Sequence, residues 1–166
     1  FISDNLKLAL GLRWENWNSK YNDSNNESFN PSDNMNGGKL SLIKYKDKSN
    51  IYFAIARGYK QGGFNLGLDA TDNSIRDSLI FDPEFLTNYE IGFTSNSNNS
   101  NVNYSAAVFY SKREDQQVLI SKQVDPTDPN TFSYLTQNAA QGENFGLELS
   151  SNYFVSDNLN LYANVG

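Results

Sequence analysis

The chain contains no cysteine and no histidine. The first absence excludes disulfides and thiolate metal sites. The second excludes Ser-His-Asp and Cys-His catalysis and removes the commonest transition-metal ligand. Basic residues are also in short supply, 13 Lys and Arg against 19 Asp and Glu, for a formal net charge of -6. Phosphate recognition needs a basic face, so nucleic acid is not the expected partner. No apolar run reaches the ~18 residues that a membrane-crossing helix requires. The hydrophobic fraction, 38%, is low enough to suit a soluble protein. It is equally compatible with a transmembrane β-barrel, where only alternate residues meet lipid. Aromatics are plentiful instead: 10 Tyr and 11 Phe in 166 residues.

The strongest pattern has period two. In NLKLALGLRWE, Leu6, Leu8, Leu10, Leu12 and Trp14 share one face, and Lys7, Ala9, Gly11, Arg13 and Glu15 share the other. In NYEIGFTS, Tyr89, Ile91 and Phe93 oppose Glu90, Gly92 and Thr94. In NVNYSAAVFYSK, Val102, Tyr104, Ala106, Val108 and Tyr110 oppose Asn103, Ser105 and Ala107, with Phe109 breaking the polar face. In NFGLELSSNY, Phe145, Leu147, Leu149 and Tyr153 oppose Asn144, Gly146, Glu148 and Asn152. KLSLIKYK and NIYFAIARGYK alternate less cleanly, which a bulge or a two-sided environment would each explain. No long window follows a helical period.

The connections fall into two classes that alternate along the chain. Short polar turns are expected near residues 3–5, 47–50, 96–101 and 156–158, and SDNL precedes a strand at both 3–6 and 156–159. Long Asn-rich loops are expected near residues 16–37, 61–83 and 115–141. This parity puts every short turn at one end of an antiparallel sheet of about seven strands and every long loop at the other, the layout of an outer-membrane barrel. An open sheet edge has no partner in lipid, so the barrel would close with strands elsewhere. The chain starts without Met and without a leader and stops mid-pattern at NLNLYANVG, so a piece of a longer protein is expected. Alone, it is expected to aggregate through its open edges and its apolar face.

ARGYKQGGFN, residues 56–65, stands where a strand meets a long loop. Arg57 and Tyr59 suit the rim of a bilayer, and Gly62-Gly63 suit a sharp departure into the loop. The sharper reading makes Arg57, Tyr59, Lys60, Phe64 and Asn65 rim and loop contacts to a ligand. Glu90, Glu148, Arg13 and Lys7 fall on polar faces and are expected to line the lumen. DPTDP at 125–129 has too few carboxylates for a calcium site and reads as a loop tip.

The ordered set YxxxxRGYKxGGFN, then FxPExxxNYEIGF, resembles TonB-dependent receptors of the outer membrane. The matching residues are Tyr52, Arg57, Gly58, Tyr59, Lys60, Gly62, Gly63, Phe64 and Asn65, then Phe81, Pro83, Glu84, Asn88, Tyr89, Glu90, Ile91 and Gly92. AAVFYSKREDQQV (106–118) and NAAQGENFGLEL (138–149) are similar to the strands that follow in that family. The resemblance implies a segment of a barrel of about 22 strands, from its C-terminal half, whose N-terminal plug, TonB box and last strand lie outside this chain. Of the matched residues, Gly58, Gly62, Gly63, Pro83, Glu84, Asn88, Tyr89, Glu90 and Gly92 are then structural. The implied function is TonB-dependent active transport of a scarce nutrient, a ferric siderophore first among them, in the outer membrane of a Gram-negative bacterium. The implied partners are outer-membrane lipid, the TonB-ExbB-ExbD complex and the small ligand, with no cofactor, no protein-held metal and no enzymatic activity. A passive porin-like channel, a soluble all-β binding module and a barrel enzyme are the alternatives.

Overall fold

A computed structural model describes residues 1–24, 26–66, 78–96, 101–123, 127–138 and 141–166. Most of the turn expected at 96–101 and the first residues of DPTDP lie outside the described residues. The described residues form thirteen strands: β1 (Leu6–Asn18), β2 (Tyr21–Asn22), β3 (Ser28–Phe29), β4 (Ser32–Lys46), β5 (Ser49–Lys60), β6 (Gly63–Phe64), β7 (Ile80–Phe81), β8 (Glu84–Asn96), β9 (Val102–Glu114), β10 (Gln117–Gln123), β11 (Phe132–Asn138), β12 (Gly142–Ser156) and β13 (Leu159–Val165). Seven of them make one antiparallel sheet in the order β1-β4-β5-β8-β9-β12-β13. The other six pair off as β2-β3, β6-β7 and β10-β11. Each long connection therefore carries a small hairpin of its own. All three stand at the same end of the sheet, opposite the turns at Asp47-Lys48 and Asp157-Asn158. Among the described residues no helix is long and apolar enough to cross a membrane.

The sheet has two chemically distinct faces because the registers align the alternations. Leu8, Leu42, Phe53, Ile91, Val108 and Leu147 oppose one another in sequence across the sheet. The row above runs Leu10, Leu40, Ile55, Tyr89, Tyr110 and Phe145, with the Tyr89 and Tyr110 rings stacked at 6.2 Å. The row below includes Ile51, Phe93, Ala106, Leu149 and Val165. Slipping any strand by one residue would interleave polar side chains into these rows. Most of these large side chains remain exposed, Phe145 at 81%. No second sheet covers them among the described residues.

The apolar band does not follow the rows. On β1 it climbs toward the loops as far as Trp14, whereas on β12 and β13 it descends toward the turns through Tyr153 and Leu161. Strands tilted by about 40° shift each neighbour by roughly one residue at constant height. A level band across tilted strands therefore crosses the rows in this direction.

The structure sharpens two expectations. The loop foreseen at 16–37 is shorter, because the β1–β4 ladder continues to Asn18↔Ser32. On its upper rungs the face that was apolar turns polar, through Asn16, Asn18, Ser32 and Asn34, while Trp17 stands on the other face, so the alternation lapses; backbone bonds and the Asn16 amide donating to Asn34 Oδ1 (3.1 Å) hold them. The blurred alternation of β4 and β5 is not a bulge. Their ladder is continuous from Lys46↔Ser49 to Gly38↔Arg57, and the blur comes from Ile43 and Tyr52 sitting on the polar face.

Candidate functional site

The polar face of β8 carries a chain of side-chain bonds. Ser111 donates to Asn88 Oδ1 at 2.7 Å, Asn88 Nδ2 donates to Glu90 Oε2 at 3.3 Å, and the Tyr52 hydroxyl donates to Glu90 Oε1 at 2.6 Å. Tyr52 reaches Glu90 because its cross-strand partner is Gly92, which leaves room for the ring. A Cβ on Gly92 would stand 2.5 Å from both Cε1 and Oη of Tyr52. Phe109 and Gly146 repeat the device: they are partners across β9 and β12, and a Cβ on Gly146 would lie 2.7 Å from the Phe109 ring. An aromatic laid over a cross-strand glycine restores the contact area that the glycine lacks. Phe109 thus breaks the polar face in order to cover it. Glu148 joins Tyr52, Glu90, Ser105 and Ser150 around a hollow on this face.

At the loop end, ARGYKQGGFN distributes its residues over different surroundings. Arg57 is exposed on the apolar-face side, its guanidinium 4.5 Å from the centre of the Phe85 ring. Lys60 is exposed on the other side, opposite Glu84. Tyr59 departs from simple alternation. The β4–β5 ladder stops at Gly38↔Arg57, and above it the Tyr59 ring lies against Gly37, 3.3 Å from the position a Cβ would take. From there its hydroxyl donates to Glu15 at 2.8 Å, and the Arg13 guanidinium sits 5.1 Å from its ring centre. Gly58 has open space around it.

Gly62 and Gly63 serve close approach. A Cβ on Gly62 would be 2.5 Å from the Phe81 carbonyl oxygen, and one on Gly63 would be 2.7 Å from the Phe81 ring. Neither glycine adopts a left-handed φ. The foreseen sharp departure is therefore a tight packing of β6 on β7. Phe64 then projects into an aromatic group with Trp17 (6.3 Å between ring centres) and Tyr21 (5.4 Å), which ties this loop to the first one.

Asn65 is buried, with 8% of its surface exposed. Its Nδ2 donates to the carbonyls of Ser78 (2.6 Å) and Thr136 (2.7 Å), and its Oδ1 accepts from the Thr136 N–H at 2.7 Å. Both of its donors are thereby occupied by backbone. Pro83 is buried, and the adjacent Glu84 accepts the Gln117 N–H at 2.9 Å while its other oxygen lies 3.4 Å from Arg113 Nε. Asn138 donates to the carbonyls of Asp82 (2.9 Å) and Asp115 (2.8 Å) and accepts the Asp82 N–H at 2.7 Å. Sequence reasoning passed over Asn138, Gln117 and Thr136. Only the position of Asn138 at the head of NAAQGENFGLEL hinted at it.

The chain in its full length, residues 1–166, matches the family model described as TonB dependent receptor-like, beta-barrel. The chain belongs to the TonB-dependent receptor β-barrel family. This is a family of transport receptors. Among curated proteins, the chain is 25% identical over 176 residues to a probable TonB-dependent siderophore receptor, PiuA, of Acinetobacter baumannii, which covers 98% of this chain and 22% of that protein. Among solved structures, the ferric yersiniabactin uptake receptor FyuA from Yersinia pestis superimposes with a TM-score of 0.71 at 21% identity, over 98% of this chain and 24% of the receptor. The copper transporter OprC gives 0.67 at 15% identity, over 99% of this chain and 27% of OprC. The chain thus spans about a quarter of the length of these proteins. The two solved structures share its fold, and the chain corresponds to a segment of a larger antiparallel barrel.

Proposed function

We propose that this chain forms wall and extracellular loops of an outer-membrane transporter that takes up a ferric siderophore with energy relayed through TonB, ExbB and ExbD. The observation that carries the reading is the family match along the whole of residues 1–166. The probable TonB-dependent siderophore receptor of A. baumannii among its relatives supports the choice of ligand. In this reading the rows through Phe53 and Ile55 face lipid, and the face of Glu90 and Glu148 lines the lumen against a plug supplied by a preceding part of the protein. Arg57 and Tyr59 belong to the outer rim of the bilayer. Lys60 and Phe64 stand on the loop side, where a ligand arrives, and Asn65 supports them from behind.

The test uses the full-length reading frame in a Gram-negative host stripped of its own ferric-siderophore receptors. Uptake of radioactive iron from ferric hydroxamates and ferric catecholates is measured with and without a functional TonB. TonB-dependent uptake is expected from a protein recovered in the outer-membrane fraction. Uptake that persists without TonB would favour a passive channel, and recovery in the soluble fraction would favour a binding module.

A further inference from the structure

Two carboxamides at the loop end make the same unusual contact in opposite directions. Asn65, in the loop between β5 and β8, bonds both the N–H and the C=O of Thr136, 71 residues away. Asn138, at the end of the loop between β9 and β12, bonds both the N–H and the C=O of Asp82, 56 residues away. A carboxamide holds a donor and an acceptor side by side, as a peptide unit does, so it pairs with backbone as a neighbouring strand would. Each loop therefore supplies one such side chain and is gripped at one residue by the other loop. Gln117 adds bonds from its Nε2 to the carbonyls of Gln61 (2.9 Å) and Asp82 (3.0 Å), and Gln137 Nε2 bonds Ser78 Oγ at 3.1 Å.

The arrangement matters because, among the described residues, these hairpins are joined through side chains and not through a backbone ladder. β6-β7 and β10-β11 are separate two-stranded ladders, and among the described residues no backbone–backbone hydrogen bond links one to the other. Isolated two-stranded hairpins are marginal in water. Side-chain amides tie the two together, alongside the buried Leu79 and Leu135. Held in this way, the β10-β11 hairpin presents Leu119, Phe132 and Tyr134 to solvent, at 71%, 51% and 69% exposure.

We propose that Asn65 and Asn138 are positioning residues that lock the β6-β7 hairpin to the β10-β11 hairpin, so that the two meet an incoming ligand as one composite surface. The lock is a statement about structure. Its use in ligand capture rests on the transport reading above.

The experiment is amide hydrogen exchange on the purified full-length receptor in detergent, for N65D, N138D and the double variant, with N65A and N138A alongside. Aspartate keeps the size and the acceptor and loses the donors. Each single substitution is expected to speed exchange in both hairpins by about tenfold, the factor that corresponds to ~1.4 kcal/mol. The double variant is expected to add little, because one lock is opened once. Protection of β5, β8 and β9 should be unchanged, which separates unlocking from misfolding. Exchange confined to the substituted residue's own loop, or additive effects in the double variant, would overturn the lock. For capture, N65D and N138D should weaken the apparent affinity for the transported ferric siderophore several-fold and equally, with maximal uptake retained. Unchanged affinity in unlocked variants would overturn the composite surface. An unmutated receptor that moves no ferric siderophore would instead count against the transport reading, and the exchange result would still decide the lock.

Discussion

Replacing Gly92 by alanine should destabilise the wall only while Tyr52 is present. The added Cβ would fall 2.5 Å from Tyr52 Cε1 and Oη, well inside van der Waals contact. The tyrosine ring is the part that can yield. When it swings away it loses the 2.6 Å bond to Glu90. A hydrogen bond to a charged group contributes about 1.5–3 kcal/mol. Against that, alanine in a strand interior is favoured over glycine by about 0.5–1 kcal/mol. The expected net cost of Gly92→Ala is therefore about 1–2 kcal/mol. In a Tyr52→Ala background there is no ring to displace, and the same substitution should be neutral or mildly stabilising. Tyr52→Phe should fall between, since a ring still stands over position 92 but has no hydroxyl to lose. Guanidinium unfolding of the full-length receptor in bilayers would supply the two double-mutant cycles. A Gly92→Ala cost that is equal in all three backgrounds would refute the account, because it would place the constraint in the backbone and not in the ring.

Other outcomes follow from the same geometry. Phe53→Arg, in the middle of the apolar face, should cost about 2–4 kcal/mol in bilayers, and Thr94→Arg on the polar face should cost far less; equal penalties would mean that the faces have been assigned wrongly. Arg57→Ala should cost only about 0.5–1 kcal/mol through the lost contact with Phe85, and a loss above ~3 kcal/mol in thermal unfolding would demand another partner; Tyr59→Phe should lower the unfolding midpoint through the lost bond to Glu15, and an unchanged midpoint would count against that bond. Glu84→Gln keeps an acceptor for the Gln117 N–H and should be milder than Glu84→Ala, which leaves that donor bare; the order of the two unfolding midpoints is the check.

The wall was legible and the loop end was not, for one physical reason. In the wall, position along the strand decides which face a side chain occupies, so Leu8, Phe53 and Ile91 announce their common row through local alternation alone. The same rule explains the misjudged start of the first loop. From Asn16 to Asn18 and from Ser32 to Asn34 the face that was apolar turns polar and Trp17 stands on the other one, so the alternation lapses although the backbone ladder goes on. NYEIGF was readable as one apolar and one polar face. That Asn88, Glu90 and Tyr52 form a bonded chain across it needed the register, because Tyr52 belongs to another strand.

The loops obey a different logic, in which a residue's role depends on a partner far along the chain. Asn65 reads as one more loop asparagine among many, and its type argues equally for a turn, a ligand contact or a solvated tip. Its role appears only when Thr136 is brought beside it, and the composition of neither segment points to the other. Gly62 and Gly63 follow the same logic, since the reason for their missing side chains is Phe81. The motif that began as a departure from the sheet is thus a docking surface for the rest of its own loop and, through Asn65, for the next one. Substitutions within residues 61–65 should accordingly disturb the β10-β11 hairpin more than they disturb the strand that precedes them, and exchange rates at Thr136 measured beside those at Ile55 would show which segment responds.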